Sequence, residues 1–342
     1  LVNQLLTQGK YNSYFEKKLR TKFGSKYCSV VSSGTAALHL ALMALSLPKN
    51  SKVATIPLTF VATSNSILMN NLIPEFVDID SISYTIDLNK LEDKLKKDKK
   101  IKAVISVDYA GNLCDWKSLN FLAKRYSFKL INDNCHAIGS KYNNDTKYAC
   151  KYADLVTQSY HPVKAITTAE GGSVLTNNKR LHEKIQIYKN HGIMRNKELS
   201  RKYGLWFYSI KALGYNYRLS DIQCALGVSQ LSKLDFFVKK RQEIAKIYDK
   251  AFANFENLRI PPIRKNCDHS YHLYPLQINF KKIKVDKKNF FLKLLKKKIL
   301  PQVHYIPIHY HQFYKRKFNF KKGDFAISED HFDKEVSLPI YP

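Results

Sequence analysis

The sequence lacks the apolar and cysteine patterns of membrane and secreted proteins. Its longest apolar stretch, AALHLALMALSL (36–47), is shorter than the roughly 20 residues that span a bilayer and is typical of a core helix. The N-terminal LVNQLLTQGKYNSYF has no basic region followed by an apolar one, so it does not resemble a secretory signal. None of the six cysteines forms a Cys-x-x-Cys pair, and several lie in apolar runs, as buried free thiols do. We therefore expect a soluble, cytoplasmic protein with no membrane partner.

Acidic residues are also scarce, with 28 Asp and Glu against 57 Lys and Arg, which gives a formal net charge of +29. Such a charge alone would suggest a nucleic-acid partner. The lysines, however, lie in scattered clusters interleaved with apolar residues, such as KLKKDKKIK (94–102), KKIKVDKK (281–288) and KLLKKK (293–298). A basic tail, a zinc-knuckle spacing and an aromatic RNA-binding motif are all absent from the sequence. We therefore expect no nucleic-acid partner and interpret the charge as a solvated basic surface that favours a small anionic substrate.

Short apolar runs alternate with helical patterns between about residues 27 and 176. The candidate strands are YCSVVSS (27–33), KVATIP (52–57), PEFVDI (74–79), KAVISVD (102–108), FKLIND (128–133), ADLVTQS (153–159) and GSVLTN (172–177). This alternation predicts an α/β fold with a mostly parallel sheet that is sandwiched by helices. In such a sheet, ligands bind beyond the carboxyl ends of the strands.

The second half of the chain indicates a smaller unit. A long helix is predicted over 218–253, and Pro261 and Pro262 then precede two candidate strands near 272–280 and 302–307. We expect a large domain over residues 1–235, which includes the N-terminal segment, and a smaller C-terminal α+β domain over residues 236–342.

Two of the predicted strand ends could bind a phosphate group and a planar ring. In SSGTAALHL (32–40) a strand passes into a helix, where Gly34 allows close approach and Thr35 adds a hydroxyl to the free N–H groups of the helix start. An ordinary capped helix would give the same pattern. Phe60 follows the next strand, where it could stack on a ring or simply be a core phenylalanine.

A third strand end carries Asp133, and His136 follows three residues later. A carboxylate at this edge is costly to bury without a cationic partner, and the protonated ring nitrogen of a cofactor would be one. Asp133 could instead cap a helix. A metal site would need further ligands, and neither His-Glu-x-x-His nor a cysteine cluster is present, so we expect no metal.

The fourth strand end lies in SYHPVKAITTAEGGSV (159–174), where Ser159 ends a strand and Lys164 follows in a loop at the same edge. A partly desolvated lysine has a lowered pKa and can attack carbonyl groups. The other lysines of the chain make any single one a poor candidate. A phosphate cradle, a stacking aromatic, a carboxylate and this lysine at one edge together describe a pyridoxal phosphate site.

These motifs resemble the DegT/StrS-type nucleotide-sugar aminotransferases, which are fold type I pyridoxal phosphate enzymes. Besides the stretches 32–36, 133–136 and 159–172, the resemblance covers LTQGKYNSYFEKKL (6–19), SVDYAGNLCDW (106–116), GYNYRLSDIQCALGVSQL (214–231), HLYP (272–275) and QVHYIPIHYHQFY (302–314). Within the family, SVDYAG, HPVKAITTAEGG and QVHYIPI most resemble the transaminases of pseudaminic acid biosynthesis. Relatives begin earlier and continue past SLPIYP, so we expect the chain to be truncated at both ends.

The resemblance implies a role for each matching residue. Lys164 would hold the cofactor covalently and later move the proton of the amino donor, and Asp133 would pair with the pyridine nitrogen. Phe60 would stack on the ring, with His136 beside it. The groups that hold the phosphate would be Gly34, Thr35, Ser159 and, from a second subunit, Asn216. The sugar-nucleotide side would be lined by Thr7, His304 and Tyr305. A homodimer with shared active sites is therefore expected.

The implied reaction transfers an amino group from L-glutamate to the C4 ketone of a UDP-linked 4-keto-6-deoxy-N-acetylhexosamine, in pseudaminic acid biosynthesis. Another nucleotide keto-sugar is an alternative substrate. A pyridoxamine-dependent sugar dehydratase would have histidine in place of Lys164. A catalytically silent binding protein on this fold would not need both Lys164 and Asp133.

Overall fold

The structure is a computed structural model that describes residues 5–342, and its largest element is a seven-stranded sheet. The strands of this sheet are β1 (Tyr27–Val31), β2 (Lys52–Thr55), β3 (Ile73–Phe76), β4 (Ile101–Val107), β5 (Lys129–Asp133), β7 (Leu155–Ser159) and β8 (Gly172–Thr176). The remaining strands are β6 (Lys141–Tyr142), β9 (Ile193–Met194), β10 (Ser209–Ile210), β11 (Leu258–Arg259), β12 (Cys267–Asp268), β13 (Tyr274–Ile278) and β14 (Glu335–Leu338). All seven strands that the sequence predicts between residues 27 and 177 are therefore present.

The helices are α1 (Lys10–Phe23), α2 (Gly34–Leu45), α3 (Ala62–Met69), α4 (Leu88–Lys97), α5 (Trp116–Tyr126), α6 (Ala149–Tyr152), α7 (Lys179–Tyr188), α8 (Lys197–Tyr203), α9 (Asp221–Ser232), α10 (Leu234–Phe252), α11 (Lys287–Lys296), α12 (Gln312–Phe318) and α13 (Ala326–Lys334). Within residues 5–342, no helix is both long enough and apolar enough to cross a membrane.

The order of the large sheet is β1-β8-β7-β5-β4-β2-β3. Neighbours from β3 to β7 pair in parallel, whereas β8 is antiparallel to both β7 and β1. Six strands therefore run in one direction, and their carboxyl ends meet at a single edge. The start of β8 lies at the same edge, because Gly172 pairs with both Val31 and Ser159.

Helices cover both faces of this sheet. Along β4, Ala103 and Ile105 belong to the core beneath α2, whereas Val104 between them belongs to the core that includes Trp116 of α5. This alternation follows from the two-residue repeat of a strand. Both faces are apolar because both are covered, and the apolar composition of the candidate strands reflects this.

A smaller antiparallel sheet, β11-β13-β14, has its own core with Ala245 of α10 packed against Tyr274, Leu276 and Val336. The predicted continuous helix over 218–253 is wrong, because the helix is interrupted at Lys233 between α9 and α10. Neither glycine nor proline marks this break in the sequence.

The predicted strand over 302–307 is also wrong. This segment makes one isolated bridge, between Gln302 and Ser337, and then leaves the sheet. The backbone N–H of His304 donates to the side chain of Glu335 at 3.0 Å instead of to a neighbouring strand. A hydrogen bond to a buried carboxylate therefore replaces the strand pairing that was expected of QVHYIP.

Candidate active site

Most of the predicted site residues line one cavity of about 410 Å³ at the carboxyl edge of the large sheet. The predicted residues in its wall are Gly34, Thr35, Phe60, Asp133, His136, Ser159, Lys164, His304 and Tyr305. They come from strand ends and loops far apart in sequence, which parallel pairing brings to the same edge.

One end of the cavity is formed by the start of α2. Ser33 caps the helix, and its hydroxyl accepts a hydrogen bond from the N–H of Ala36 at 3.0 Å. The N–H groups of Gly34 and Thr35 precede the first intrahelical hydrogen bond, so they are available to an anion. A Cβ atom on Gly34 would lie 2.6 Å from the Cβ of Ser159, so this close approach of α2 to β7 requires glycine.

Asp133 is buried at the end of β5, with 5% of its surface exposed. Its carboxylate accepts hydrogen bonds from the hydroxyl of Thr63 at 2.9 Å and from the N–H of Cys135 at 3.3 Å. No helix begins directly after Asp133, so its side chain does not cap one. Among the residues that the structure describes, no cationic side chain forms an ion pair with it, so the site can accommodate a cationic ligand group.

The Nζ of Lys164 lies 3.3 Å from the Nε2 of His272. Burial lowers the pKa of Lys164, while Cys135 and Asp133 oppose this shift. Burial, together with the charge of Lys164, holds the pKa of His272 well below its usual value, so His272 is neutral and can accept a hydrogen bond from the amine. The neighbourhood of Lys164 therefore favours a neutral, nucleophilic amine.

The ring of His136 links the backbone to Tyr305. The N–H of Ala110 donates to the Nδ1 of His136 at 3.3 Å, and the Nε2 of His136 lies 2.9 Å from the Tyr305 hydroxyl. Burial holds the pKa of His136 well below its usual value, so its single proton is on Nε2 and is donated to Tyr305. The hydroxyl proton of Tyr305 is then free for another acceptor.

Phe60 is 55% exposed, so the alternative of a core phenylalanine is wrong. Its ring lies 6.0 Å from that of Tyr305, centroid to centroid, and both line the cavity. An exposed phenyl group at a cavity wall can stack on a planar ligand.

Thr7 and Asn216 are the two predicted site residues that do not line this cavity. Both are exposed, and each forms an isolated bridge, Thr7 with Ser220 and Asn216 with Asn190. We expect Asn216 to act in the active site of a second subunit. Its position outside the cavity of its own chain does not test that prediction. The role of Thr7 also stays a prediction.

Two residues that bear on the site, Thr63 and His272, were not assigned roles from the sequence. Thr63 lies within α3, 70 residues before its partner Asp133, and only the fold brings the two together. His272 belongs to the HLYP stretch, which resembles the family, but the sequence indicates no role for its histidine.

The histidine-rich segment 304–311 does not form a metal site with its neighbours. His309 is fully buried and lies 2.9 Å from the carboxylate of Glu329, in a packing contact. Within residues 5–342, no group of three or more potential ligands is arranged to hold a metal ion.

These residues fit pyridoxal phosphate on structural grounds. The glycine-lined helix start suits a phosphate, the unpaired Asp133 suits a protonated ring nitrogen, and Lys164 suits a carbonyl carbon. The fold and the site together define a fold type I pyridoxal phosphate enzyme.

Comparison with known proteins agrees with this class. A family model described as "DegT/DnrJ/EryC1/StrS aminotransferase family" matches residues 1–342. The chain belongs to this family of pyridoxal phosphate-dependent sugar aminotransferases.

Individual relatives extend along the whole chain. A Campylobacter jejuni protein, UDP-4-amino-4,6-dideoxy-N-acetyl-beta-L-altrosamine transaminase, is 41% identical over 347 residues, which cover 100% of this chain and 87% of the relative. Helicobacter pylori PseC, an aminotransferase involved in pseudaminic acid biosynthesis, superposes with a TM-score of 0.90 at 36% identity, covering 99% of this chain and 88% of PseC. The PLP form of a putative sugar aminotransferase from Streptococcus pneumoniae superposes with a TM-score of 0.89 at 26% identity, covering 99% of this chain and 88% of that protein.

Proposed function

We propose that this enzyme transfers an amino group from L-glutamate to the C4 ketone of a UDP-linked 4-keto-6-deoxy-N-acetylhexosamine, in pseudaminic acid biosynthesis. Glutamate leaves as 2-oxoglutarate, which takes its keto oxygen from water, and the oxygen of the sugar ketone leaves as water. The half-buried amine of Lys164, in one cavity with the unpaired carboxylate of Asp133, carries the proposal of amino transfer. The identity of the sugar is supported by the relatives that are named for this chemistry.

In this proposal, each predicted site residue that lines the cavity has a separate task. When bound, pyridoxal phosphate supplies an electron sink that stabilises negative charge on the carbon next to the amino group. Lys164 would hold the cofactor through Nζ and would accept the donor's proton, since burial favours the neutral form of its amine. Asp133 holds the proton on the ring nitrogen, Phe60 covers the ring, and His136 positions Tyr305 beside it.

The phosphate is held by the N–H groups of Gly34 and Thr35 and by Ser159. On the sugar side, His304 and Tyr305 form the wall, and Thr7 would contribute from the exposed N-terminal turn. We retain 1–235 as the large domain and 236–342 as the smaller one, because the separate core around β13 supports this division. All six cysteines are free thiols, which supports a cytoplasmic location.

We also propose a homodimer in which Asn216 reaches the phosphate site of the partner. The segment before it exposes Leu205 (88%), Trp206 (74%) and Leu213 (75%). Monomeric proteins rarely expose so many large apolar side chains together, so this segment is suited to a second copy of the chain.

Mixed dimers test this sharing of sites. Co-expressing Lys164→Ala and Asn216→Ala chains with different tags yields hybrids with one intact site if Lys164 and Asn216 act in the same site from opposite subunits. Activity should then return in the purified hybrid, although each parent is inactive or impaired. If each site is built from one chain, both sites of the hybrid carry a defect and activity does not return.

The substrate is tested by incubating the purified enzyme with glutamate and a panel of nucleotide keto-sugars, with products detected by mass and their C4 configuration determined by NMR. We expect a mass change corresponding to replacement of the ketone by an amine, with the UDP-linked 6-deoxy-N-acetylhexosamine preferred. Preference for another sugar or another base would replace the proposed substrate. A colourless protein that ignores added pyridoxal phosphate would contradict the enzyme class itself.

A further inference from the structure

A buried carboxylate, Glu335, lies behind the cavity wall and takes no part in the cofactor site described above. It begins β14 and is fully buried. Such a group destabilises a protein unless hydrogen bonds compensate its lost hydration. One oxygen accepts from the backbone N–H of His304 at 3.0 Å, and the other accepts from the hydroxyl of Ser337. Glu335 therefore contacts the cavity-lining residue His304 directly, through the backbone N–H.

The hydroxyl of Ser337 extends this contact to the imidazole ring, because its Oγ lies 2.8 Å from the Nδ1 of His304. An ionised carboxylate can only accept hydrogen bonds, so the single hydroxyl proton of Ser337 is donated to Glu335. Oγ must then accept from His304, which requires a proton on Nδ1. The Nε2 of a neutral His304 is left with a lone pair.

The charge states of His304 and Glu335 support this direction of the hydrogen bonds. Burial, with the charge of Lys164, lowers the pKa of His304 to about 4, so the ring is neutral at physiological pH. Burial raises the pKa of Glu335 to about 7, while the hydrogen bonds from Ser337 and His304 and the charge of Lys287 oppose this shift. Above that pH the carboxylate of Glu335 is ionised. The hydrogen bonds then run from His304 through Ser337 to Glu335.

The remaining edge of the His304 ring is available to a ligand. The ring lines the cavity together with Lys164 and Tyr305. Within residues 5–342, Nε2 has no hydrogen-bond partner, and it is not among the buried polar atoms that lack one. It is therefore an accessible acceptor beside Tyr305, whose hydroxyl is free to donate.

We propose that Glu335 is a positioning residue that acts through Ser337 to hold His304 as the Nδ1–H tautomer, so that Nε2 accepts a hydrogen bond from a hydroxyl or amide N–H of the sugar. The sugar as the donor rests on the proposed function. The tautomer is a property of the protein alone and can be measured separately.

Glu335→Gln should reverse the tautomer while it retains the shape of the side chain. The backbone N–H of His304 can only donate, so the carbonyl oxygen of the new glutamine must face it. The glutamine NH₂ then faces Ser337 and donates to Oγ. The hydroxyl proton is released towards Nδ1, and the proton of the imidazole moves to Nε2.

Nitrogen NMR of the holoenzyme labelled with ¹⁵N-histidine measures this directly at about pH 9, above the pKa of Glu335. The His304 signals are assigned by their loss in His304→Asn. We expect the Nδ1–H tautomer in the wild type and the Nε2–H tautomer in Glu335→Gln. An Nε2–H wild type, or the same tautomer in both proteins, would overturn the proposal.

Separate half-reactions then test the contact with the sugar. In Glu335→Gln, we expect the KM for the nucleotide sugar to rise on the order of 10-fold, as for the loss of one hydrogen bond. The half-reaction with the amino donor should keep its rate. Ser337→Ala, which removes the bridging hydroxyl, should affect the same half-reaction.

Glu329→Gln is the matched control, because Glu329 is also a buried carboxylate paired with a histidine, His309, but neither lines the cavity. It should leave both half-reactions unchanged. An equal rise of KM in Glu329→Gln, or an unchanged KM in Glu335→Gln, would overturn the contact with the sugar. A wild type that aminates no keto-sugar would overturn the proposed function instead, and the NMR result would still decide the tautomer.

Discussion

At the scale of single residues, Asp133 is a buried and Lys164 a half-buried ionisable group, and the two face one cavity without forming an ion pair with each other. Asp133 has polar partners in Thr63 and Cys135, and Lys164 has a polar partner in His272. Burial of a carboxylate and an amine reduces stability unless a ligand compensates each of them. Pyridoxal phosphate can compensate both, at its ring nitrogen and its carbonyl carbon.

Asp133→Asn separates the role in catalysis from the role in stability. The amide retains the shape of the side chain but cannot hold a proton on the cofactor ring, so kcat should fall by about 100-fold or more. The melting temperature of the apoprotein should stay the same or rise, because a buried charge is removed. Spectrophotometric assays and calorimetry measure the two effects.

Asp108→Asn is the control for Asp133→Asn. Asp108 is also buried, but its carboxylate accepts hydrogen bonds from Cys114, Trp116 and Tyr148, away from the cavity. This variant should keep its kcat, and it should lose stability because the amide NH₂ would face the Tyr148 hydroxyl and cannot accept its hydrogen bond. If Asp133→Asn keeps its kcat as well, Asp133 does not serve the cofactor.

At the scale of elements, the site depends on how closely α2 approaches β7. The glycine that begins α2 brings the helix N-terminus against Ser159, and the two together form the end of the cavity that is proposed to hold the phosphate. The Ser-Ser-Gly-Thr sequence alone fits both this cradle and an ordinary helix start. The contact with Ser159, 125 residues away along the chain, is what separates the two interpretations.

Gly34→Ala should therefore weaken binding of the cofactor and destabilise the protein by about 1–3 kcal/mol, because the new methyl group would lie 2.6 Å from the Cβ of Ser159. Absorbance titration with pyridoxal phosphate and thermal unfolding measure these losses. Adding Ser159→Gly removes the clash and should recover stability but not the phosphate contact of the serine. A Gly34→Ala protein with unchanged stability and affinity would show that this approach is not tight in solution.

The elements also show how far the sequence could predict the structure. The seven strands of the large sheet are readable because each is an apolar run bounded by polar residues, and parallel pairing then brings their ends together. The break at Lys233 is not readable, because neither glycine nor proline marks it. The irregular segment at 302–307 is not readable either, because it depends on Glu335, a buried carboxylate distant in sequence. For the same reason the partnership of Lys164 with His272, 108 residues apart, could not be predicted.

At the scale of the whole molecule, the protein has a formal net charge of +29, and its site is proposed to bind a nucleotide diphosphate sugar. A positive field steers anionic substrates towards a protein, and salt screens it over about 10 Å at 0.1 M ionic strength. The net charge then increases the rate at which the anionic substrate meets the enzyme. It requires no nucleic-acid partner.

The kcat/KM for the nucleotide sugar should consequently fall by about 10-fold as ionic strength rises from about 0.03 M to about 0.3 M. The value for glutamate, which carries less negative charge, should fall less. Steady-state kinetics at several salt concentrations test this, with viscosity held constant. An equal response for both substrates would indicate that the charge acts on stability or assembly instead of on encounter.

The identity of the cofactor-bearing lysine is tested most directly by reducing the holoenzyme with borohydride and mapping its peptides by mass spectrometry. The reduced cofactor should be found on the peptide that contains Lys164, and it should be absent from Lys164→Ala but present in Lys288→Ala, which alters an exposed lysine. A cofactor adduct on any other lysine, or none in a protein that retains activity, would contradict the assignment of Lys164.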